Sequence, residues 1–255
     1  TPNRFGWPGQ DLNGVSGMYS IQDLESLERR TQGLKSAVIV GGGLIGVELA
    51  EMLHSRGIHT SLLVREPAYW SNVLPLREAE LVADVVRAAG IDLRLGTEVA
   101  EIVDDGQGAA CAVVDSHGTR TEVGFVGLCA GVRPNLALCA GTPLATGRGI
   151  RVDRQLRTSV EGIFAAGDCA EVVEGAGPGT VTAVWYTGRA MGEVAGANLA
   201  GEGIDYRAAP WFNSAKFFDL EYQVYGEVPS AAQVGPVPDS LFWEHASGRR
   251  SLRIV

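Results

Sequence analysis

The stretch SAVIVGGGLIGVELAEMLHSRGIHTSLLV, residues 36–64, decides the fold. It opens on residues 36–40, apolar after Ser36, the composition of a parallel strand buried on both faces. Three glycines follow, and Gly41, Gly43 and Gly46 fit the pattern G-x-G-x-x-G. A helix through residues 47–54 closes at Gly57, read as the left-handed residue after the C-cap, and residues 60–64 form the next strand. Strand, glycine turn, helix and strand within about 30 residues make a βαβ unit. Each glycine then has a duty. Gly41 permits the tight turn, Gly43 lets backbone approach a pyrophosphate, and Gly46 lets helix and strand touch. Helix-start N–H groups and the positive end of the helix dipole favour a diphosphate there. The motif is weak by itself and strong between a strand and a helix. Candidate dinucleotide contacts are Gly41, Gly43, Leu44, Ile45 and Gly46, against the alternative of a glycine turn that binds nothing.

The end of the second strand chooses between nicotinamide cofactors, because an acid there accepts from the adenosine ribose 2′-hydroxyl whereas Arg receives a 2′-phosphate. The strand ends in Leu63, Val64, Arg65 and Glu66. One charge-assisted contact from Arg65 is worth roughly 1.5–3 kcal/mol, about tenfold to a hundredfold in preference. Glu66 beside it repels phosphate and suits the ribose hydroxyl. The reading leans to NADP and leaves NAD open, with both side chains solvated as the plain alternative.

Outward from this unit, residues 20–30 read as a helix with Ser20 as N-cap and acids in its first turn. Residues 76–89 read as an amphipathic helix with Leu81, Val82, Val85 and Val86 on one face and Gly90 ending it. Residues 91–95 suggest another parallel strand. The period then changes to two, and residues 99–103, 110–115 and 119–123 read as a meander. Residues 125–130 form a buried strand leading to Gly131. Short strands are expected at 149–153 and 163–168, then a Gly/Pro loop at 174–179 and a long helix over 183–199. From Ala209 the composition turns aromatic and β-like, and residues 250–255 read as a strand.

Composition narrows the function classes. The chain has 255 residues, and 21 Lys and Arg against 30 Asp and Glu leave a formal charge of −9. An acid excess disfavours a general nucleic-acid binder, which needs a basic face to displace counterions. No apolar run reaches the roughly 18 residues that span a bilayer, and residues 1–8 lack the basic-then-apolar pattern of a signal peptide. Cys111, Cys129, Cys139 and Cys169 form no CxxC pair and no metal-ligand cluster; they read as buried, reduced thiols of a soluble, cytoplasmic protein. His54, His59, His117 and His245 read as structural or solvated. No metal site is expected.

Residues 158–168, TSVEGIFAAGD, preceded by Gly131-Val-Arg-Pro-Asn135, carry a second signature. Together with the glycine turn they resemble the two-dinucleotide-binding flavoproteins of the pyridine nucleotide-disulfide oxidoreductase superfamily, which includes glutathione reductase and lipoamide dehydrogenase. The resemblance covers roughly residues 1–225. It implies an α/β fold: a Rossmann-like NAD(P)-binding domain with parallel sheet and β-meander, part of an FAD-binding domain, and the start of an α+β C-terminal domain. It divides the chain into residues 1–32, a connection from an absent FAD-domain half; 33–126, the NAD(P)-binding domain; 127–207, the C-terminal half of the FAD domain; and 208–255, the opening of an interface domain.

The same resemblance assigns roles. Gly41, Gly43 and Gly46 would hold the NAD(P) pyrophosphate, and Glu48 would sit by the nicotinamide end, with a plain helix-surface acid as its alternative. Arg65 matches the phosphate-binding Arg of NADPH-using members, and Val64 stands where NADH-using members carry an acid. Asp168 would hydrogen-bond the FAD ribityl chain, with Gly167 allowing close approach and Gly131 nearby; the alternative for Asp168 is an N-cap. Residues 209–215, APWFNSA, resemble a segment of ferredoxin and rubredoxin reductases, which brings Trp211 or Phe212 near a flavin, although Ala215 replaces that segment's acid. The family's redox Cys pair is absent. So is the half that carries the FAD pyrophosphate loop, so the chain is expected to be a piece truncated at both ends.

The implied activity is hydride transfer from NAD(P)H to FAD, with electrons passed to a second acceptor: ferredoxin, rubredoxin, quinone, oxygen or a disulfide. A homodimer is implied for part of the family. Two rivals stand beside it. One is a flavin-free dehydrogenase, although no Tyr in the chain is followed by Lys four positions later, as a short-chain dehydrogenase requires. The other is a non-catalytic NAD(P)-binding module.

Overall fold

A two-residue strand that the sequence reading did not anticipate, β1 (Val15–Ser16), opens the chain's regular structure in the computed structural model, which describes residues 1–175, 177–233 and 239–255. Helix α1 (Ile21–Arg30) starts as expected at Ser20. The Asp23 N–H donates to Ser20 Oγ at 3.2 Å, and the Asp23 carboxylate accepts from the Ser20 N–H at 2.9 Å, a reciprocal capping box. Then follow β2 (Ser36–Val40), α2 (Leu44–His54), β3 (His59–Val64), α3 (Leu76–Ala88) and β4 (Asp92–Leu95). The antiparallel meander β5 (Val99–Asp104), β6 (Ala110–Asp115) and β7 (Arg120–Glu122) leads to β8 (Phe125–Leu128). The sheet order is β1-β8-β2-β3-β4, and every pair is parallel.

The period-two rule for strands explains the layers. Val38, Val40, Val126 and Leu128 share one face and pack with Val99, Ile102, Ala110 and Val113 of the meander in a single core cluster. Ile39 and Gly127, of the opposite parity, face α2: a Cβ on Gly127 would meet Ile39 Cδ1 at 2.6 Å and Leu49 Cδ2 at 2.8 Å. Helix and meander therefore cover opposite faces of β2, and both faces of the strand are apolar.

Some boundaries differ from expectation. Helix α2 begins at Leu44, because the glycine run ends at its N-cap, Gly43. Gly57, with φ +76°, stands two residues past the C-cap Ser55, not one. On α3 the fully buried stripe is Ala79, Val82, Ala83 and Val86, spaced i, i+3, i+4 and i+7; Leu81 and Val85 flank it half-buried.

Residues divide into two compact units, Pro2–Gly131 with Phe212–Val255, and Thr1 with Val132–Trp211. In the second, β9 (Ile150–Val152) pairs in parallel with β10 (Ala170–Val172). Helix α4 (Trp185–Leu199) completes a core of Val152, Leu156, Ala165, Ala170, Met191 and Ala195. The strand expected at 163–168 does not form. Phe164 makes one bridge to Arg157, and Gly167, at φ +80°, turns the chain into a short 3-10 segment, Gly167–Cys169. The strand lies just beyond, as β10. Position 176, within the Gly/Pro loop expected at 174–179, lies outside the described residues.

Two hairpins of the first unit finish the chain: β11 (Phe212–Phe217) with β12 (Leu220–Tyr225), and β13 (Leu241–Glu244) with β14 (Ser251–Ile254). The first is tied to α2, where the Phe218 N–H donates to Glu51 Oε1 at 2.9 Å. The second is tied to α3, where Arg253 donates to both Glu78 oxygens at 2.6 and 3.2 Å.

Candidate functional site

The turn between β2 and α2 is shaped by what its glycines lack. Gly41 sits at φ +105°, and a Cβ there would crowd the Cys129 carbonyl. A Cβ on Gly46 would overlap the Gly41 carbonyl oxygen, so helix start and strand end are in direct contact. Gly43 is the opposite case: nothing stands within 4 Å of the position a Cβ would take. As N-cap of α2 it offers no side chain to the helix. Among the described residues no acceptor is recorded for the N–H groups of Gly43, Leu44, Ile45 or Gly46. Donors at a helix start beside open space suit a diphosphate. The residues present fit the phosphates of a dinucleotide.

Two side chains that the sequence reading did not assign brace this turn. Trp70 Nε1–H donates to the Gly42 carbonyl at 2.6 Å, and a Cβ on Gly42 would stand 2.7 Å from both Tyr69 Cε2 and Val64 Cγ2. Tyr69 and Trp70 are buried and stacked, with ring centroids 5.5 Å apart. The Tyr69 hydroxyl has no well-formed hydrogen bond among the described residues, and burial raises its pKa against a smaller opposing effect of Trp70. Two adjacent aromatics in a loop are the one trace in the sequence that could have marked them.

Around the turn, Glu48 lies exposed on α2. Partial desolvation first, and the Glu51 carboxylate second, raise its carboxyl above the usual range. At the end of β3 the exposed Arg65 guanidinium donates to Glu66 Oε1 at 3.0 Å, and Asn72 Nδ2 donates to the same oxygen at 3.3 Å. Arg65 and Glu66 are thus one paired group beside the turn. Gly131, at φ +84°, is held in the same unit by the Asn3 N–H, which donates to its carbonyl at 3.0 Å.

In the other unit, Gly167 takes its left-handed conformation against α4: its N–H points at Met191 Sδ, 3.4 Å away, and a Cβ on Gly188 would stand 3.4 Å from Gly167 Cα. Asp168 follows, exposed, and among the described residues its carboxylate accepts no hydrogen bond. It does not serve as an N-cap. A solvent-facing carboxylate on a glycine-bent segment can accept from ligand hydroxyls. Phe212 opens β11, its ring stacked on Tyr225 at 6.1 Å.

Of the four cysteines, all free, only Cys139 is fully buried; the other three are partly exposed, contrary to the reading that buried them all. Burial pushes the Cys129 thiol up to about 12, which disfavours a thiolate nucleophile there. Among the described residues no group of three His, Cys, Asp or Glu side chains is arranged to hold a metal, and no helix is long and apolar enough to cross a membrane.

The chain is 30% identical over 236 residues to an NADH oxidase of Methanocaldococcus jannaschii, covering 90% of this chain and 52% of that protein. It is 28% identical to the ferredoxin–NAD(+) reductase component of a p-cumate 2,3-dioxygenase system of Pseudomonas putida, covering 91% of this chain and 56% of that protein. The chain thus spans about half the length of these relatives. Among solved structures, a ferredoxin reductase from Rhodopseudomonas palustris shares the fold with a TM-score of 0.86 at 24% identity, over 98% of this chain and 60% of that one. A NAD-dependent persulfide reductase from A. fulgidus aligns with a TM-score of 0.81 at 26% identity, over 89% and 42%. Residues 1–192 match the pyridine nucleotide-disulphide oxidoreductase family, and the chain belongs to that family.

Proposed function

We propose that the full protein is an FAD-dependent oxidoreductase that takes reducing equivalents from NADH and passes them to a small redox protein of the ferredoxin or rubredoxin class. The observation that carries this reading is the glycine turn, where Gly43 opens onto space and the N–H groups at the start of α2 have no acceptor among the described residues. Family membership supplies the flavin, and relatives named as NADH oxidase and as ferredoxin– and rubredoxin–NAD(+) reductases match 90%, 91% and 65% of this chain. When bound, the two cofactors supply the chemistry, a hydride leaving the dihydronicotinamide for the isoalloxazine.

The chain's residues bind and orient. The N–H groups of Gly43, Leu44, Ile45 and Gly46 hold the diphosphate, with Gly41 shaping the turn, and Glu48 lies by the nicotinamide end. Glu66 accepts from the adenosine ribose. Its pairing with Arg65 leaves that guanidinium without the unopposed positive charge that a 2′-phosphate would need, which favours NADH over NADPH. Gly167 and Asp168 receive the ribityl hydroxyls of FAD, with Gly131 part of the flavin-binding portion. In this reading residues 1–32 are the connection, 33–126 bind the nicotinamide cofactor, 127–207 bind flavin and 208–255 begin an interface domain. Four free cysteines fit a reducing, cytoplasmic setting.

The test is the full-length protein. It should purify with FAD bound, and equilibrium dialysis should show NADH retained more tightly than NADPH. A flavin-free protein without affinity for either nucleotide would overturn the reading.

A further inference from the structure

We propose that Trp70 is a positioning residue of the glycine turn, its indole N–H holding the Gly42 carbonyl so that the Gly43 N–H is aimed at the diphosphate of a nicotinamide dinucleotide. The inference deepens the function proposed above and rests on it.

Gly41, Gly42 and Gly43 make up the whole of the turn before α2. Three consecutive glycines have the widest backbone freedom available to a chain; the ends of this run are held, the Gly41 N–H donating to the Leu63 carbonyl at 2.9 Å and the Val47 N–H to the Gly43 carbonyl at 3.1 Å, which leaves the Gly42–Gly43 peptide between them to be set. The restraint comes from outside the run. Trp70 Nε1 lies 2.6 Å from the Gly42 oxygen. In a trans peptide the carbonyl and the following N–H point in opposite directions. Holding the Gly42 carbonyl toward Trp70 therefore turns the Gly43 N–H away from Trp70. A donor set in advance binds an anion without first paying to order the loop.

Trp70 is itself over-determined. Its φ is +53°, a left-handed conformation that a bulky residue keeps only where its surroundings impose it. The surroundings are Tyr69, stacked on it, and the edges of Phe217 and Tyr222 at centroid distances of 5.3 and 5.2 Å. Phe217 and Tyr222 belong to the β11–β12 hairpin, which Glu51 ties to α2 through the Phe218 N–H. The hairpin thus grips the same helix whose first turn carries the donors, and its aromatic rings hold the indole against the turn.

Trp70→Phe in the full-length protein keeps an aromatic ring and removes the donor. Its Kd and KM for NADH should rise roughly fivefold to tenfold, the effect of losing one hydrogen bond, with kcat at saturating NADH changing far less than KM and the melting temperature falling by a few degrees as a buried indole is trimmed. Substitution of benzothienylalanine at position 70, which keeps the indole outline and replaces the N–H with sulfur, should weaken binding equally, and it decides the matter if Trp70→Phe does not fold. Wild-type affinity in a folded variant overturns the positioning role and leaves the proposed function standing. A fall in kcat and melting temperature with unchanged KM also overturns it, marking a merely structural residue. Absence of NADH binding by the wild-type protein overturns the proposed function and this inference with it.

Discussion

A Cβ on Gly46 would overlap the carbonyl oxygen of Gly41. The first turn of α2 therefore rests on the end of β2, and the closeness of that contact keeps the helix-start N–H groups beside the strand's carboxyl end. Three positions away, Gly43 faces space. The two glycines should fail in different ways. Gly46→Ala should destabilise the fold by about 1–3 kcal/mol, the cost of overpacking, read as a lower urea midpoint. Gly43→Ala should cost less than about 1 kcal/mol at an N-cap and still weaken NADH binding about tenfold or more. Equal losses of stability would contradict this division.

In the proposed function Glu66, paired with Arg65 at 3.0 Å, selects between the nicotinamide cofactors. Glu66→Ala frees the guanidinium and should shift the ratio of kcat/KM values toward NADPH by about tenfold. Arg65→Ala should lower kcat/KM for NADPH more than for NADH. A Glu66→Ala variant with unchanged selectivity would remove Glu66 from the specificity site.

Asp168 accepts no protein donor among the described residues and is exposed, so the fold does not depend on its charge. Asp168→Ala should reduce the FAD content of the purified full-length protein while its circular dichroism stays unchanged. Full flavin occupancy in the variant would show that the carboxylate does not hold the ribityl chain.

Glu171 gives the account a pH dependence. Its carboxylate accepts from the Gly149 N–H at 3.0 Å and the Gly179 N–H at 3.2 Å. The Gly149 bond leads the causes that hold its pKa below the usual 4.5 against desolvation. A depressed folded pKa contributes stability that is present above the unfolded value of 4.5 and lost as pH falls through the folded one. Melting temperature should therefore fall on acidification below about pH 4.5, and Glu171→Gln should flatten that dependence. An unchanged acid profile in the variant would exclude Glu171 as its source.

Much of the first unit was legible because its signals are local. The apolar run at residues 36–40, the glycines after it and the Ser20 cap each dictate a conformation through neighbours a few positions away. What was not legible depends on distant contacts. Nothing near Val15 says that it pairs with Val126. Nothing near Trp70 says that its indole reaches Gly42 or that Phe217 lies against it. The strand expected at 163–168 shows the same limit: its composition suits a strand, but Gly167 bends the backbone and the ladder forms three residues later. The pairing of Arg65 with Glu66 was open to the sequence as a neighbouring pair; only the structure joins it to Asn72.

The most direct measurement is anaerobic stopped-flow mixing of the full-length, FAD-loaded protein with NADH, following flavin absorbance. The flavin should bleach rapidly at a rate that saturates in NADH, bleach more slowly with NADPH, and recover its colour on adding an oxidised ferredoxin or rubredoxin. Flavin that stays oxidised in excess NADH would contradict it.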